Sequence, residues 1–554
     1  MTAIPRPKVA FFCMEYGLDA SFPIYSGGLG VLAGDILKSA KDLDMPFVGI
    51  GILWNEGYSD QYLDERGYPF HSGQDYNRDL LEDTGITVNL WIRGEDVACK
   101  VWKVEAFNNV PLYLLDTNFP GSDHGWMTRQ LYAGFGQERV AAEMILGIGG
   151  IRLLKKIGFD ADVYHLNEGH AVFAGLELIR ERMSTGKNFH EAWEETRQQI
   201  IFTTHTPVMA GNEVHDHSLL SHMGAWAGLE YDQVEEIGGD PFNMTVAGLR
   251  LSCLSNGVSE LHGSTARAMW KDYHGISPII SITNGVHVKT WQDEQIEQTY
   301  NVRGNLWKTH LQAKKRLIEE VQNRTGVSLD LDALTIGFAR RAATYKRSGL
   351  IFHRPHIIEP LLKDRVIQLV FSGKAHPEDE WGKQIVANIA EMSYRFPDSV
   401  VFLENYNMEL GKILTTGCDV WLNTPQRPLE ASATSGMKAA LNGVLNLSVL
   451  DGWWPEGCIH GVNGWQFGGG YEGPEQLMVD ALSLYEVLLE DVIPTYYDDK
   501  KRWQEMMQAS IATGMHRFSA DRMLTEYNNL MYQPSATMRK VKKDVMSAMA
   551  IQSN

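Results

Sequence analysis

Short apolar runs alternate with helical patterns along almost the whole chain, and they do so in two separate series. In the first series, 9–13, 47–53, 163–166 and 200–204 read as buried strands, with helical segments such as 140–156 and 171–183 between them. That alternation predicts a mostly parallel sheet with helices on both faces. The stretch 101–117 reads as two strands joined at Asn108-Asn109, a hairpin inserted into the series. After Trp291 the pattern breaks, and 301–324 is polar, charged and helical. A second series follows at 335–338, 366–371, 400–404, 420–423 and 445–450. The expected fold class is therefore α/β, with two doubly wound, Rossmann-like domains, 1–300 and 301–554. The helical, Met-rich tail from about 521 is expected either to pack back on the N-terminal domain or to fray.

Charge narrows the function. The 554 residues carry a formal net charge of -19, which argues against wrapping nucleic acid, since that needs a basic face. A small anion remains possible where the sequence is locally basic. One such place is Arg340-Arg341-Ala-Ala-Thr-Tyr345-Lys346-Arg347, directly after the strand 335–338. The carboxyl ends of strands are where open α/β sheets bind ligands, and guanidinium forks suit phosphate oxygens. A second candidate, uncharged itself, is Ser26-Gly27-Gly28-Leu29-Gly30 after the first strand, leading into a helical pattern at 31–43. Glycines admit close backbone approach, and a helix N-terminus favours an anion. The glycine spacing is not that of a dinucleotide-binding loop. A third is 427–438, where small and hydroxyl residues lead into a helix.

Five scattered cysteines form no C-x-x-C pair, which reads as reduced intracellular thiols. The apolar run 9–14 stops at Glu15, too short for a signal sequence, and no run approaches a membrane span. The expectation is a cytoplasmic protein with no membrane partner. Three histidine groups, at 165–170, at 205 and at 215–217, lack the spacing of a helical zinc motif, so no metal is assigned. His215 and His217 read as ordinary loop histidines. Asn167, His205 and Asn284 suit hydrogen bonding to a hydroxylated ligand.

Taken in order, these motifs resemble the glycogen, starch and maltodextrin phosphorylase family, in its short bacterial branch, from about Phe11 to about Tyr532. The most specific match is Glu430-Ala-Ser-Ala-Thr-Ser-Gly-Met-Lys438, where only Ala433 departs from the branch pattern. Supporting matches are Gly27–Gly30, His-Leu-Asn at 165–167, Thr-His-Thr at 204–206, Thr283-Asn284-Gly285 with Trp291, Arg341 with Tyr345-Lys346-Arg347, and Glu404-Asn405-Tyr406. The resemblance implies a GT-B arrangement, two facing domains with the active site in the cleft between them. It implies pyridoxal 5'-phosphate held as a Schiff base on Lys438, with Gly27, Gly28, Thr434, Ser435 and Tyr406 around it and Trp291 near its ring. Arg341 and Lys346 resemble the residues that hold the substrate and cofactor phosphates. His205, Asn284, Glu430, Ser432, Ala433 and Leu29 resemble contacts to the transferred glucose.

The implied reaction is phosphorolysis of an α-glucan chain by inorganic phosphate. It gives α-glucose 1-phosphate with retention of configuration, and the reverse reaction is possible. In that chemistry the cofactor phosphate passes a proton to the substrate phosphate, so local cations must offset two phosphates in contact. A homodimer is left open. Three departures bear on activity: Ala433, Met209 where a proline is usual, and Asn407. Ala433 is expected to take a helix-like, negative φ, because the run to Lys438 leads into a helix. The chain starts almost at its first strand, so no phosphorylated N-terminal arm is expected, and removing residues 2–5 should leave kinetics unchanged. Two other readings stand beside this one. A nucleotide-sugar-dependent glucan synthase of the same architecture would place a lysine at Tyr25 and a glutamate at Lys438. A non-catalytic glucan-binding regulatory relative would fit Ala433 and Met209.

Overall fold

The computed structural model describes residues 6–537 except 58, 74, 75, 133 and 135. The segment 2–5 and the tail beyond 537 lie outside the described residues. Two sheets organise the chain. The first comprises β1 (Val9–Phe12), β2 (Phe47–Ile52), β3 (Glu82–Ile92), β4 (Glu95–Val104), β5 (Leu112–Asp116), β6 (Val163–Asn167), β7 (Ile200–Thr203), β8 (Leu254–Gly257) and β9 (Ile279–Ser281). Their spatial order is β9-β8-β7-β6-β1-β2-β5-β4-β3. All pairs are parallel except β5-β4 and β4-β3. The second comprises β10 (Leu334–Ala339), β11 (Ile367–Ser372), β12 (Val400–Leu403), β13 (Val420–Asn423), β14 (Leu445–Val449) and β15 (Gly464–Phe467), ordered β12-β11-β10-β13-β14-β15 and wholly parallel.

Both sheets are doubly wound, as the alternating runs predict. Strand order reverses between β1 and β6 in the first sheet and between β10 and β13 in the second. Crevices at the carboxyl ends of strands open at such reversals. Burial on both faces explains the near-continuous apolar strands, β1, β2, β10 and β11 being buried throughout.

The reading of 101–117 finds its antiparallel pair, Val101 opposite Leu115, but misses β3. That strand is half-exposed, and Glu82, Asp83, Gly85 and Asn89 interrupt it, so it carries no continuous apolar run. The sequence reading also lacks β8, β9 and β15: Asn-Gly in β8 and the Gly-rich approach to β15 are turn signals, and β9 is only 3 residues long. The helix expected over 140–156 is interrupted by a π-turn at Ile145–Gly149. Before it lies α2 (Gln137–Met144). Three other helices matter below: α1 (Gly28–Asp42), α3 (Thr434–Leu441) and α4 (Ala520–Tyr527).

After the second sheet the chain returns to the first. Ala520, Met523, Leu524, Tyr527, Met531 and Tyr532 are buried in the core of the first. Tyr532 Oη meets His165 Nδ1 at 3.0 Å, and Asn256 donates to Tyr527 Oη at 2.9 Å. Among the described residues, no helix is long and apolar enough to cross a membrane.

Candidate active site

Residues that follow the strand ends of both sheets line one cleft of about 800 Å³. Beyond β1, the Glu15 carboxylate accepts the backbone N–H groups of Ser26 at 2.6 Å and Gly27 at 3.2 Å, which fixes the glycine loop. A Cβ at Gly30 would lie 2.6 Å from Glu15 Oε2, so only glycine fits there. A Cβ on Gly27 or Gly28 would meet nothing within 4 Å, because both face the open cleft. The helix α1 starts at Gly28 with no side-chain cap. Across the cleft, α3 starts at Thr434, also uncapped. Two helix N-termini with uncapped N–H groups, one from each half, therefore face the same space.

The second sheet adds the cations. Arg340 and Arg341 follow β10, and Lys346 sits on the next turn. Glu430 is paired with Lys346, and its Oε2 accepts from Arg340 Nη1 at 3.0 Å. Burial pushes the Glu430 carboxyl up, but Lys346 and Arg340 outweigh it and hold the group below its ordinary range. Asp451 supports this loop by accepting the Glu430 N–H at 3.0 Å. Burial and the nearby Glu430 raise its carboxyl to about 7. Arg341 is exposed on the cleft wall.

Lys438 lies on the second and last turn of α3 and is 8% exposed. Its Nζ sits 3.5 Å from the centre of the Trp291 ring, and Trp291 Nε1 donates to both oxygens of buried Asp35, at 3.0 and 2.9 Å. Burial lowers the Lys438 ammonium from 10.5 to about 8, against the opposing pull of Asp35. A buried amine of this kind is suited to condensing with an aldehyde. Tyr406 and Ser435 line the same end, and Ser435 Oγ accepts from Trp421 Nε1 at 3.2 Å.

Neutral polar groups line another part of the cleft. His205 Nε2 and Asn167 Oδ1 are 2.8 Å apart. Burial lowers the imidazole to about 3, so it is neutral and donates to Asn167 through Nε2. Asn284 Oδ1 and Ser432 Oγ are buried without a partner, and both residues line the cleft.

The cleft thus brings together Gly27, Gly28, Leu29, His205, Asn284, Trp291, Arg341, Lys346, Tyr406, Glu430, Ser432, Ala433, Thr434, Ser435 and Lys438. One expectation is overturned. Ala433 has φ 65° and ψ 52°, in the left-handed region, not the helix-like conformation. It is the N-cap residue, outside the helix that begins at Thr434, so the helical run does not set its backbone. Its methyl lies in a buried cluster with Trp291, Met437 and Trp453, and Ser432 O accepts the Trp453 N–H at 3.0 Å. Packing on both sides holds the strained residue in place.

Sequence reasoning also missed residues. Arg340 was read only as part of a basic run, yet it pairs with Glu430. Asp35 sits within an apolar helix pattern that gave no reason to single it out. Lys374 follows β11 at its carboxyl end and lines the cleft. The strand-end rule that singled out Arg341 could have found it.

Residues 292–454 match the family model described as carbohydrate phosphorylase. The chain is 40% identical to the maltodextrin phosphorylase of Thermococcus litoralis, over 95% of this chain and 70% of that protein.

The chain belongs to the carbohydrate phosphorylase family.

It is also 34% identical to the glycogen phosphorylase of Aquifex aeolicus, over 95% of this chain and 86% of that one. An uncharacterised protein of Methanocaldococcus jannaschii is 34% identical over 95% of this chain and 99% of its own length. The family's GT-B fold accords with the two doubly wound sheets and the cleft at their strand ends.

Proposed function

We propose that this carbohydrate phosphorylase cleaves terminal α-1,4-linked glucose from glycogen-like chains with inorganic phosphate, releasing α-glucose 1-phosphate with retention. The observation that carries the reading is the meeting, in one cleft, of Lys438, two uncapped helix N-termini and the cations of the loop after β10. A glucan synthase lacks support at Tyr25 and Lys438. A non-catalytic role lacks support because the cationic and hydroxyl-facing ends of the cleft are both present.

The cleft fits pyridoxal 5'-phosphate. Lys438 is a buried amine, Trp291 offers a ring face beside it, and Gly27 and Gly28 leave the space a side chain would fill. When bound, that group supplies a phosphate able to exchange a proton with the substrate phosphate. The protein's part is electrostatic and positional. Lys346 and Arg341 offset the charge of two neighbouring phosphates, and the N-termini of α1 and α3 add partial positive charge. Glu430, kept ionised by Lys346 and Arg340, accepts hydrogen bonds from sugar hydroxyls. Asn284 and Ser432 bring unpaired polar atoms to the same ring, and neutral His205 is fixed by Asn167. Leu29 and Ala433 shape the pocket. We read the chain as two lobes, 1–300 and 301–554, with 520–537 returning to the first.

The deciding experiment supplies maltodextrin with and without phosphate and measures glucose 1-phosphate, alongside the visible absorbance of the purified protein. Phosphate-dependent product and a chromophore lost in Lys438→Ala are expected. No glucose 1-phosphate when maltodextrin and phosphate are both supplied, or a protein that never takes up the cofactor, rejects the reading.

A further inference from the structure

Farther along the loop that carries His205 lies a cluster that phosphorolysis does not use. Glu143, in α2, is 0% exposed, and its Oε2 lies 2.9 Å from Nε2 of His215. Glu213 Oε1 lies 3.9 Å from the same nitrogen. One ligand atom from each of these three residues lies within 4.8 Å of the other two. Glu143 Oε1 is buried with no hydrogen-bond partner. A buried carboxylate oxygen left unpaired is costly, because it has lost water and gained nothing. Arg139 Nε, 3.2 Å from Glu213 Oε1, supplies one positive charge against the two carboxylates. Arg139 thus stands on the Glu213 side of the cluster, and Glu143 faces the imidazole of His215. Glu213 and His215 also line the cleft, so an ion has a way in.

We propose that Glu143, Glu213 and His215 bind a divalent transition-metal cation of the zinc class on the wall of the cleft. Imidazole nitrogen and carboxylate oxygen are both zinc donors, and the imidazole disfavours calcium and magnesium. Ligand atoms at about 2.0–2.2 Å from a common ion lie roughly 3–3.5 Å apart. The pair from Glu143 and His215 is already close to that spacing, and Glu213 reaches it by side-chain rotation. His170 stands next to the cluster, with Nε2 3.9 Å from Glu213 Oε2 and a buried Nδ1 that lacks a partner. It is the nearest candidate for a fourth ligand. The ion joins α2 to Glu213 and His215 and takes no part in bond breaking. This makes His215 more than the ordinary loop histidine its sequence suggests.

The test is metal content, which does not depend on the phosphorolysis reading. The full-length protein, purified without a metal-affinity step, is dialysed and assayed by plasma mass spectrometry. Chelator-treated protein is then titrated with Zn2+ by calorimetry and by thermal melting. The expected result is about one Zn2+ per chain, a Tm that falls with chelator and recovers with Zn2+, and affinity at least about tenfold weaker in Glu143→Gln and His215→Ala. Wild-type protein that neither holds nor binds one Zn2+ and melts at the same temperature with and without chelator overturns the proposal. The two carboxylates then share a proton instead. Unchanged Zn2+ affinity in both variants overturns it as well.

Discussion

At the scale of single residues, two side chains make sharp predictions. Ala433 holds a left-handed backbone that costs an L-residue about 1–2 kcal/mol. Glycine removes that strain but adds freedom to the unfolded chain, worth about 0.4–1 kcal/mol. Ala433→Gly is therefore expected to leave stability unchanged or slightly higher, while the β-branched Ala433→Val lowers Tm by several degrees. Because the backbone already has the conformation glycine would take, the N–H keeps its direction and turnover changes little. Differential melting and steady-state kinetics check both points; a clear loss of stability in the glycine variant contradicts the positive φ. Lys438 gives a pH prediction. The neutral amine attacks an aldehyde, and with the ammonium lowered to about 8, roughly a tenth is neutral at pH 7, against about one in three thousand at 10.5. Cofactor uptake by the stripped protein should rise with pH and level off above about 8. Asp35 raises the Lys438 value, so Asp35→Asn should move that midpoint to lower pH. Stopped-flow absorbance across pH measures it, and a midpoint near 10 refutes the assignment.

At the scale of elements, the loop after β10 carries the cations and α3 answers it. Arg341→Ala and Lys346→Ala should each cost on the order of 2–4 kcal/mol of transition-state stabilisation in the phosphate-dependent reaction. Maltodextrin binding without phosphate should change far less. Equal losses in both measurements would remove these residues from the phosphate role. Lys346→Ala has a second signature. Glu430 is buried and kept ionised by Lys346 and Arg340, so its folded-state carboxyl lies below its unfolded value. That stabilisation is present above the unfolded range and lost as pH falls through the lower folded value. Removing Lys346 raises the folded value, so the acid limb of the stability curve should move to higher pH. These loops were legible in part. Strand ends are marked by where apolar runs stop, which is why Arg341 and Lys346 stood out. The pairing of Arg340 with Glu430 depends on how two loops from β10 and β13 approach, and no local pattern encodes that.

At the scale of the whole molecule, the returning C-terminal segment ties the two halves into one stability. Tyr532 is 0% exposed in the first core and bonded to His165. Tyr532→Ala should cost about 3–5 kcal/mol, the range of a large buried ring lost. Urea unfolding followed by fluorescence measures it, and a cost below about 1 kcal/mol would show that the segment is peripheral. The sequence by itself determined the two α/β series, the basic loop, the glycine loop and the motif ending at Lys438. Each rests on local periodicity, on turn chemistry or on a short run of residue types. The tertiary structure decided the rest: the left-handed Ala433, the link from Lys438 through Trp291 to Asp35, the facing carboxylates of Glu143 and Glu213, and the anchoring of 520–532 on the first sheet. These depend on contacts between residues far apart in the chain, where packing readily overrides local preferences worth only about 1–2 kcal/mol.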